Sequence, residues 1–135
     1  MKEKVRKTSH SIYNINYHIV FCPKYRHSIF KNELETELET ELLKIFQVTC
    51  YNYGYELLEK EIMPDHIHLF VSAPPTIAPT EIVKTLKSVS AYWIFKASPN
   101  LKKSKFWGIG LWSKGYYIGT AGAVSSEIIQ KYIQN

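Results

Sequence analysis

The sequence contains little cysteine and no long apolar run, and both absences narrow the class of protein. Two cysteines, Cys22 and Cys50, are far apart and lack metal-type spacing, which argues against a disulfide scaffold or a Cys-rich zinc site. No apolar run approaches the ~20 residues of a membrane-spanning helix, and the basic start "MKEKVRK" lacks the apolar stretch of a signal peptide. We expect one cytoplasmic domain over residues 1–135, with reduced cysteines, no membrane and a solvated basic arm at residues 1–10.

The charges are unevenly distributed along the chain. The formal net charge is +5, yet residues 31–42 contain five glutamates, so 16 Lys and Arg residues face only 7 acidic residues elsewhere. A basic surface of this kind is typical of proteins that bind a polyanion, most often nucleic acid. The alternative at this point is a basic soluble protein without such a partner.

Hydrophobic periodicity predicts an alternation of strands and helices. Strands are predicted at residues 12–21, 55–63, 66–73 and about 111–120, and helices at 33–52 and 80–97, the second capped by Thr80 with Trp93 facing inward. This order is the ferredoxin-like split βαβ pattern of the α+β class, a four-stranded antiparallel sheet with helices on one face and a ligand-accessible second face. A short C-terminal helix follows a glycine-containing joint, and we expect residues 123–135 to be mobile.

Two histidines at the start of the third strand are candidates for metal ligation. His66 and His68 alternate with apolar residues, so both project from one face of the sheet and can converge on a divalent ion. Asp65 is aimed away by the same alternation, and we interpret it as a cap of the turn after Pro64. Two imidazoles leave coordination positions open for water or phosphate, which suits a catalytic ion better than a structural one.

A basic protein with such an ion suggests a phosphodiester substrate, and a tyrosine is a reasonable nucleophile. The chain has ten tyrosines, most of which we expect to be packing or stacking residues. Tyr132 is distinguished by its position on the short helix beyond the joint. Its alternative role is packing, because Ile128 lies one helical turn away.

Four segments resemble one family of enzymes. They are "YNINYHIVFCPKYR", "EIMPDHIHLFVSAPP", "LWSKGYYIGTAG" and "IIQKYI", which together are similar to the single-tyrosine transposases of the insertion-sequence 200/605 family in the HUH nuclease superfamily. The resemblance implies cleavage and rejoining of single-stranded DNA through a 5′-phosphotyrosine, with His66 and His68 as ligands of Mg²⁺ or Mn²⁺ and Tyr132 as nucleophile.

The resemblance also implies a partner and a third ligand. It implies a homodimer in which the tyrosine helix of one subunit completes the other's histidine site, and DNA hairpins at transposon ends as the recognised structure. The family usually places a glutamine ligand four residues after the tyrosine, which here would be position 136, beyond Asn135.

Basic and aromatic residues are candidates for holding the DNA strand. The candidates are Lys24, Arg26, Lys84, Lys87, Lys105, Trp107 and Lys114. Two other functions stay open at this level. One is a non-catalytic nucleic-acid-binding module that stacks bases on Tyr13 and Tyr17, and the other is a relaxase or replication-initiation nuclease.

Overall fold

The strands and helices follow the predicted order. The structure is a computed structural model that describes residues 6–7, 12–13, 15–23, 33–99 and 110–120. Its elements in chain order are β1 (Arg6–Lys7), β2 (Ile12–Tyr13), β3 (Asn16–Phe21), α1 (Glu33–Tyr53), β4 (Glu56–Ile62), β5 (Ile67–Ser72), α2 (Pro79–Ala97) and β6 (Tyr117–Thr120). The predicted C-terminal helix lies outside the described residues.

The main sheet is antiparallel with the strand order β4-β5-β3-β6. The two central strands are β3 and β5. Helix α1 connects β3 to β4, a hairpin connects β4 to β5, and helix α2 connects β5 to β6, as the split βαβ prediction requires. The predicted first strand is observed in two pieces, because β2 pairs with β1 in a separate two-stranded sheet. Part of the predicted solvated arm, Arg6–Lys7, therefore belongs to a strand.

Side-chain alternation on the central strands builds the core on one face of the sheet. Ile19, Phe21, Ile67 and Leu69 are each fully buried and belong to one cluster. The helices contribute the opposing side of this cluster with the buried residues Leu42, Phe46, Ile82, Leu86 and Ile94. Both helices therefore pack on the same face, and the fold class predicted from the sequence is confirmed.

The inward stripe of α2 differs from the predicted one. Its buried residues are Ile82, Val83, Leu86, Ser90 and Ile94. Trp93 was predicted to face inward but is 48% exposed, because the four-residue steps from Leu86 to Ser90 and Ile94 set the buried line and turn position 93 to its side. The predicted Thr80 cap is also wrong: Pro79 occupies the first turn, and the N-cap Ala78 makes no side-chain capping bond.

The segment before β6 packs on α2 instead of extending the strand. We predicted a strand from about residue 111, but the ladder begins at Tyr117. Trp112 makes an isolated bridge with Pro23, and its indole Nε1 donates a 2.9 Å hydrogen bond to the buried Ser90 Oγ. The Lys87 ammonium donates to the carbonyl oxygens of Ser113 and Lys114 at 2.6 and 3.3 Å. These contacts direct residues 112–114 toward the helix and away from the sheet.

The end of α1 and the two cysteines have defined local environments. Gly54 ends α1 with a φ of +75°, a conformation that glycine adopts without steric cost. Cys22 and Cys50 are free and buried, and burial raises the pKa of the Cys50 thiol to about 12. No helix among the described residues is long and apolar enough to cross a membrane.

The bond between Trp112 and Ser90 generates a stability prediction. In Ser90→Ala the buried indole N–H loses its acceptor, and we expect the free energy of unfolding to fall by about 1–3 kcal/mol. Urea unfolding monitored by tryptophan fluorescence measures the change. Ser88→Ala, on the exposed side of the same helix, is the matched control and is expected to change stability by less than about 0.5 kcal/mol. Equal effects of the two substitutions would contradict the prediction.

Candidate metal centre

The face of the sheet opposite the helices, here called the second face, carries the candidate site. Register pairing aligns Val20 of β3 with His68 of β5 and with Tyr117 of β6, so these side chains share the second face. The prediction that this face is accessible is correct over β4, where Glu59 and Glu61 are exposed. It is wrong over β3, where His18 is 5% exposed and Val20 fully buried.

The two histidines of the HIH motif converge, as the spacing predicts. Their Nε2 atoms lie 2.9 Å apart, and their ring centroids lie 4.7 Å apart with the planes inclined by 65°. His66 immediately precedes β5, and His68 is the second residue of that strand. The β4–β5 hairpin fixes the start of the strand through a hydrogen bond from the Met63 amide to the His66 carbonyl at 2.9 Å.

Asp65 has a different role from the turn cap that we predicted. Its Oδ1 accepts a 2.8 Å hydrogen bond from Nδ1–H of His66. The His66 side chain is 12% exposed and the Asp65 side chain 39%, so the carboxylate supports the ring from the solvent side. A carboxylate on Nδ1 leaves the other ring nitrogen, Nε2, with its lone pair free to bind a cation.

His18 is the residue at this site that sequence reasoning did not assign. Its Nε2 lies 2.9 Å from Nδ1 of His68, and its ring stacks on Phe70 with centroids 4.3 Å apart and planes 8° apart. Alternation along the predicted strand 12–21 puts His18 on the face opposite Ile19 and Phe21. That signal did not reveal the contact, because the register between β3 and β5 joins residues 50 positions apart.

The electrostatic environment keeps the central histidine neutral. Burial, and to a lesser extent the neighbouring His66 and His18, together lower the pKa of His68 to about 4. Burial also lowers the pKa of His18. A neutral imidazole has the lone pair that metal ligation requires, so His68 is ready to bind an ion at neutral pH without first losing a proton.

The donor geometry fits a divalent ion. Two ligands about 2.1 Å from an ion and at right angles to each other are about 3 Å apart, close to the 2.9 Å between the two Nε2 atoms. Among the described residues no group of three or more His, Cys, Asp or Glu side chains has a ligand-like arrangement. The described part of the chain thus offers two imidazole nitrogens to an ion, and any other coordination positions would be left to solvent, substrate or residues outside it.

The predicted DNA-contacting residues fall into two groups. Lys24, Arg26, Lys105, Trp107 and the nucleophile candidate Tyr132 lie outside the described residues. Lys84, Lys87 and Lys114 line one groove of about 500 Å³ between α2 and residues 110–116. Lys84 and Lys114 are exposed there, whereas the half-buried Lys87 donates to backbone carbonyls of the protein itself. None of the three belongs to the histidine cluster.

The lowered pKa of His68 predicts acid sensitivity of the ion-free protein. Between pH 6.5 and about 4 the unfolded chain binds a proton at His68 that the folded chain does not, so the free energy of unfolding falls as the pH falls. One such proton contributes at most about 1.4 kcal/mol per pH unit. We expect His68→Gln to have a shallower slope than the parent protein in urea unfolding over this range with a chelator present. Parallel slopes would contradict the assignment.

Comparison with known proteins identifies the family. The model of the family described as "Transposase IS200 like" matches residues 11–135. The ISDra2 transposase TnpA of Deinococcus radiodurans is 38% identical over 132 residues, which is 98% of this chain and 91% of that protein. The transposase for insertion sequence element IS200 of Salmonella typhimurium is 32% identical over 130 residues, 96% of this chain and 82% of that protein.

Solved structures give the same result. The crystal structure of a candidate transposase of Deinococcus radiodurans superposes with a TM-score of 0.84 at 34% identity and covers 96% of both chains. A REP-associated tyrosine transposase bound to a REP hairpin has a TM-score of 0.55 at 12% identity, covering 95% of this chain and 67% of that one, which shows a shared fold. The family match and the curated relatives confirm the resemblance read from the motifs, and the chain belongs to the IS200-like transposase family.

Proposed function

We propose that this transposase cleaves and rejoins single-stranded DNA in a divalent-ion-dependent reaction, with Tyr132 as nucleophile and His66 and His68 as ligands of Mg²⁺ or Mn²⁺. The observation that carries the proposal is the 2.9 Å approach of two imidazole Nε2 atoms, one of them on a ring held by a carboxylate, in a chain of this family. Such an arrangement places two lone pairs where a cation would bind.

The chemistry proposed for the chain is a transesterification in each direction. The Tyr132 phenol loses its proton, and its oxygen attacks a DNA phosphorus. A bond from tyrosine oxygen to phosphorus forms, the bond from phosphorus to the 3′ oxygen breaks, and the leaving oxygen takes up a proton as a 3′-hydroxyl. Attack of a 3′-hydroxyl on the phosphotyrosine reverses these changes and rejoins the strand. Each step exchanges one phosphodiester bond for another, so the bond energy is retained and no energy source is needed.

His66 and His68 serve this reaction by position and not by proton transfer. A bound ion would polarise the scissile phosphate and help to orient it. The two rings hold their lone pairs toward one point, and the neutral state of His68 leaves its lone pair available at neutral pH. The exposed β4 side of the second face leaves room for a DNA strand to approach the histidines.

The partners are proposed on the same basis. A REP hairpin is the DNA in the solved REP-associated tyrosine transposase, which supports hairpin DNA as the ligand of this chain. Lys84 and Lys114 are exposed on one groove and would contact phosphates. We also propose a homodimer in which Tyr132 of one subunit reaches the histidines of the other.

A covalent-adduct assay tests the reaction. Protein, Mn²⁺ and labelled single-stranded DNA from an insertion-sequence end are expected to give a protein–DNA band on a denaturing gel, which disappears in Tyr132→Phe and with a chelator. In His66→Ala and His68→Ala it should fall by more than about 10-fold, since loss of even an indirect partner of a ligand costs that much. Tyr51→Phe is the matched control, because Tyr51 is 84% exposed on α1, a helix that packs on the opposite face.

The assay also separates the proposal from its rival. Wild-type protein that binds the DNA without forming an adduct under any metal condition would support a non-catalytic binding module. An adduct that persists in Tyr132→Phe would remove this residue from the nucleophile role.

Complementation tests where the tyrosine acts. A mixture of Tyr132→Phe and His68→Ala subunits contains dimers with one intact histidine pair and one intact tyrosine on different chains. If the tyrosine acts on the partner's site, the mixture recovers adduct to a fraction of the wild-type level, and a size tag shows the adduct on the His68→Ala chain. Mixtures without adduct, alongside an active wild type that forms dimers, would indicate that both groups must belong to one chain.

A further inference from the structure

His18 lies in the buried part of the second face and makes a directed contact with only one of the two proposed ligands. Its Nε2 is 2.9 Å from Nδ1 of His68, with the two ring planes only 20° apart. Phe70 stacks on the His18 ring, and Tyr117 flanks it at 6.1 Å. The ring is therefore held by contacts on more than one side, and it is 5% exposed.

The two nitrogens of His68 have different neighbours, and this limits the tautomer that can bind an ion. Nε2 faces His66, and Nδ1 faces His18. An ion bound at Nε2 requires the lone pair there, so the single proton of the neutral ring must be on Nδ1. Nδ1–H then needs an acceptor, and the atom within hydrogen-bond distance is Nε2 of His18.

The two proposed ligands have different hydrogen-bond acceptors, Asp65 for His66 and His18 for His68, and the difference follows from how deeply each acceptor is buried. His66 is backed by the carboxylate of Asp65, whose side chain is 39% exposed. Position 18 is 5% exposed, where an ionised carboxylate would be costly to desolvate. A neutral imidazole supplies an acceptor at this position without a buried charge, and its aromatic faces allow it to pack against Phe70.

We propose that His18 is a positioning residue of the ion site, which accepts the Nδ1–H bond of His68 and so fixes the tautomer and ring orientation that present the His68 Nε2 to the ion. The inference rests on the proposed function, because it assigns His18 a role toward the same ion. It adds a third imidazole that acts through His68 and does not itself touch the ion.

Two substitutions separate the hydrogen bond from packing. His18→Phe keeps an aromatic ring against Phe70 and removes both nitrogens. His18→Gln has a side chain of similar reach whose amide oxygen can accept from Nδ1–H, and it serves as the conservative rescue. Circular dichroism and thermal melting establish that each variant is folded.

Nitrogen-15 NMR of the histidine side chains in the protein saturated with Mg²⁺ is the first measurement. We expect the Nδ1–H tautomer at His68 in the wild type and in His18→Gln, and a mixture of tautomers in His18→Phe. The wild-type spectrum should also show a scalar coupling through the hydrogen bond between His68 Nδ1 and His18 Nε2. This measurement uses the wild type alone, so it does not depend on the folding of any variant. An Nε2–H tautomer at His68 in the wild type would overturn the proposal.

Calorimetric titration with Mn²⁺ is the second measurement. His18→Phe is expected to bind Mn²⁺ about 10- to 100-fold more weakly than the wild type, the usual effect of losing the partner of a ligand, and His18→Gln to recover most of the affinity. Unchanged affinity in a folded His18→Phe would overturn the role of His18 and leave the proposed function intact. A wild type that shows the Nδ1–H tautomer but binds no Mn²⁺ would instead overturn the ion site in the proposed function.

Discussion

The approach of two imidazole nitrogens to 2.9 Å is the constraint on which the site depends. If both atoms carry lone pairs, they repel each other unless a cation lies between them, so the fold must hold them in place. The backbone hydrogen bond between Met63 and His66 fixes the chain at one histidine, and pairing with β3 and β4 fixes it at the other. Asp65 and His18 then orient the rings from behind, which makes a line of four side chains from solvent to the buried centre of the sheet.

The hydrophobic periodicity of the sequence predicted the features that depend on a single segment of the chain. The period of two in residues 66–73 placed His66 and His68 together and Leu69 in the core, and the helical period placed α1 and α2 within one residue of their observed ends. The contact of His18 with His68 depends on register between distant strands, which no single segment encodes. The prediction for Trp93 failed because the sequence did not show which side of α2 faces the core. That side includes the polar residue Ser90, whose burial is explained by its hydrogen bond with Trp112.

Burial across the second face is uneven, and this sets the direction from which a substrate can arrive. The face is closed over His18 and Val20 on β3 and exposed at Glu59 and Glu61 on β4. His68 lies between these regions, where burial and its neighbours lower its pKa while one edge of the strand pair stays accessible. The lysine groove lies beside α2, which packs on the opposite face of the sheet, so a bound strand would meet the two surfaces at different points along its length.

The site is assembled from one compact hairpin and one distant strand. Asp65, His66 and His68 lie within four consecutive positions that a single turn and β5 arrange, whereas His18 comes from the neighbouring central strand. A graft of residues 61–72 into another antiparallel sheet would therefore carry the two histidines and the carboxylate of Asp65 as a unit. The graft would not carry His18. The geometry of His68 would therefore depend on which residue the adjoining strand of the recipient protein places diagonally across from it.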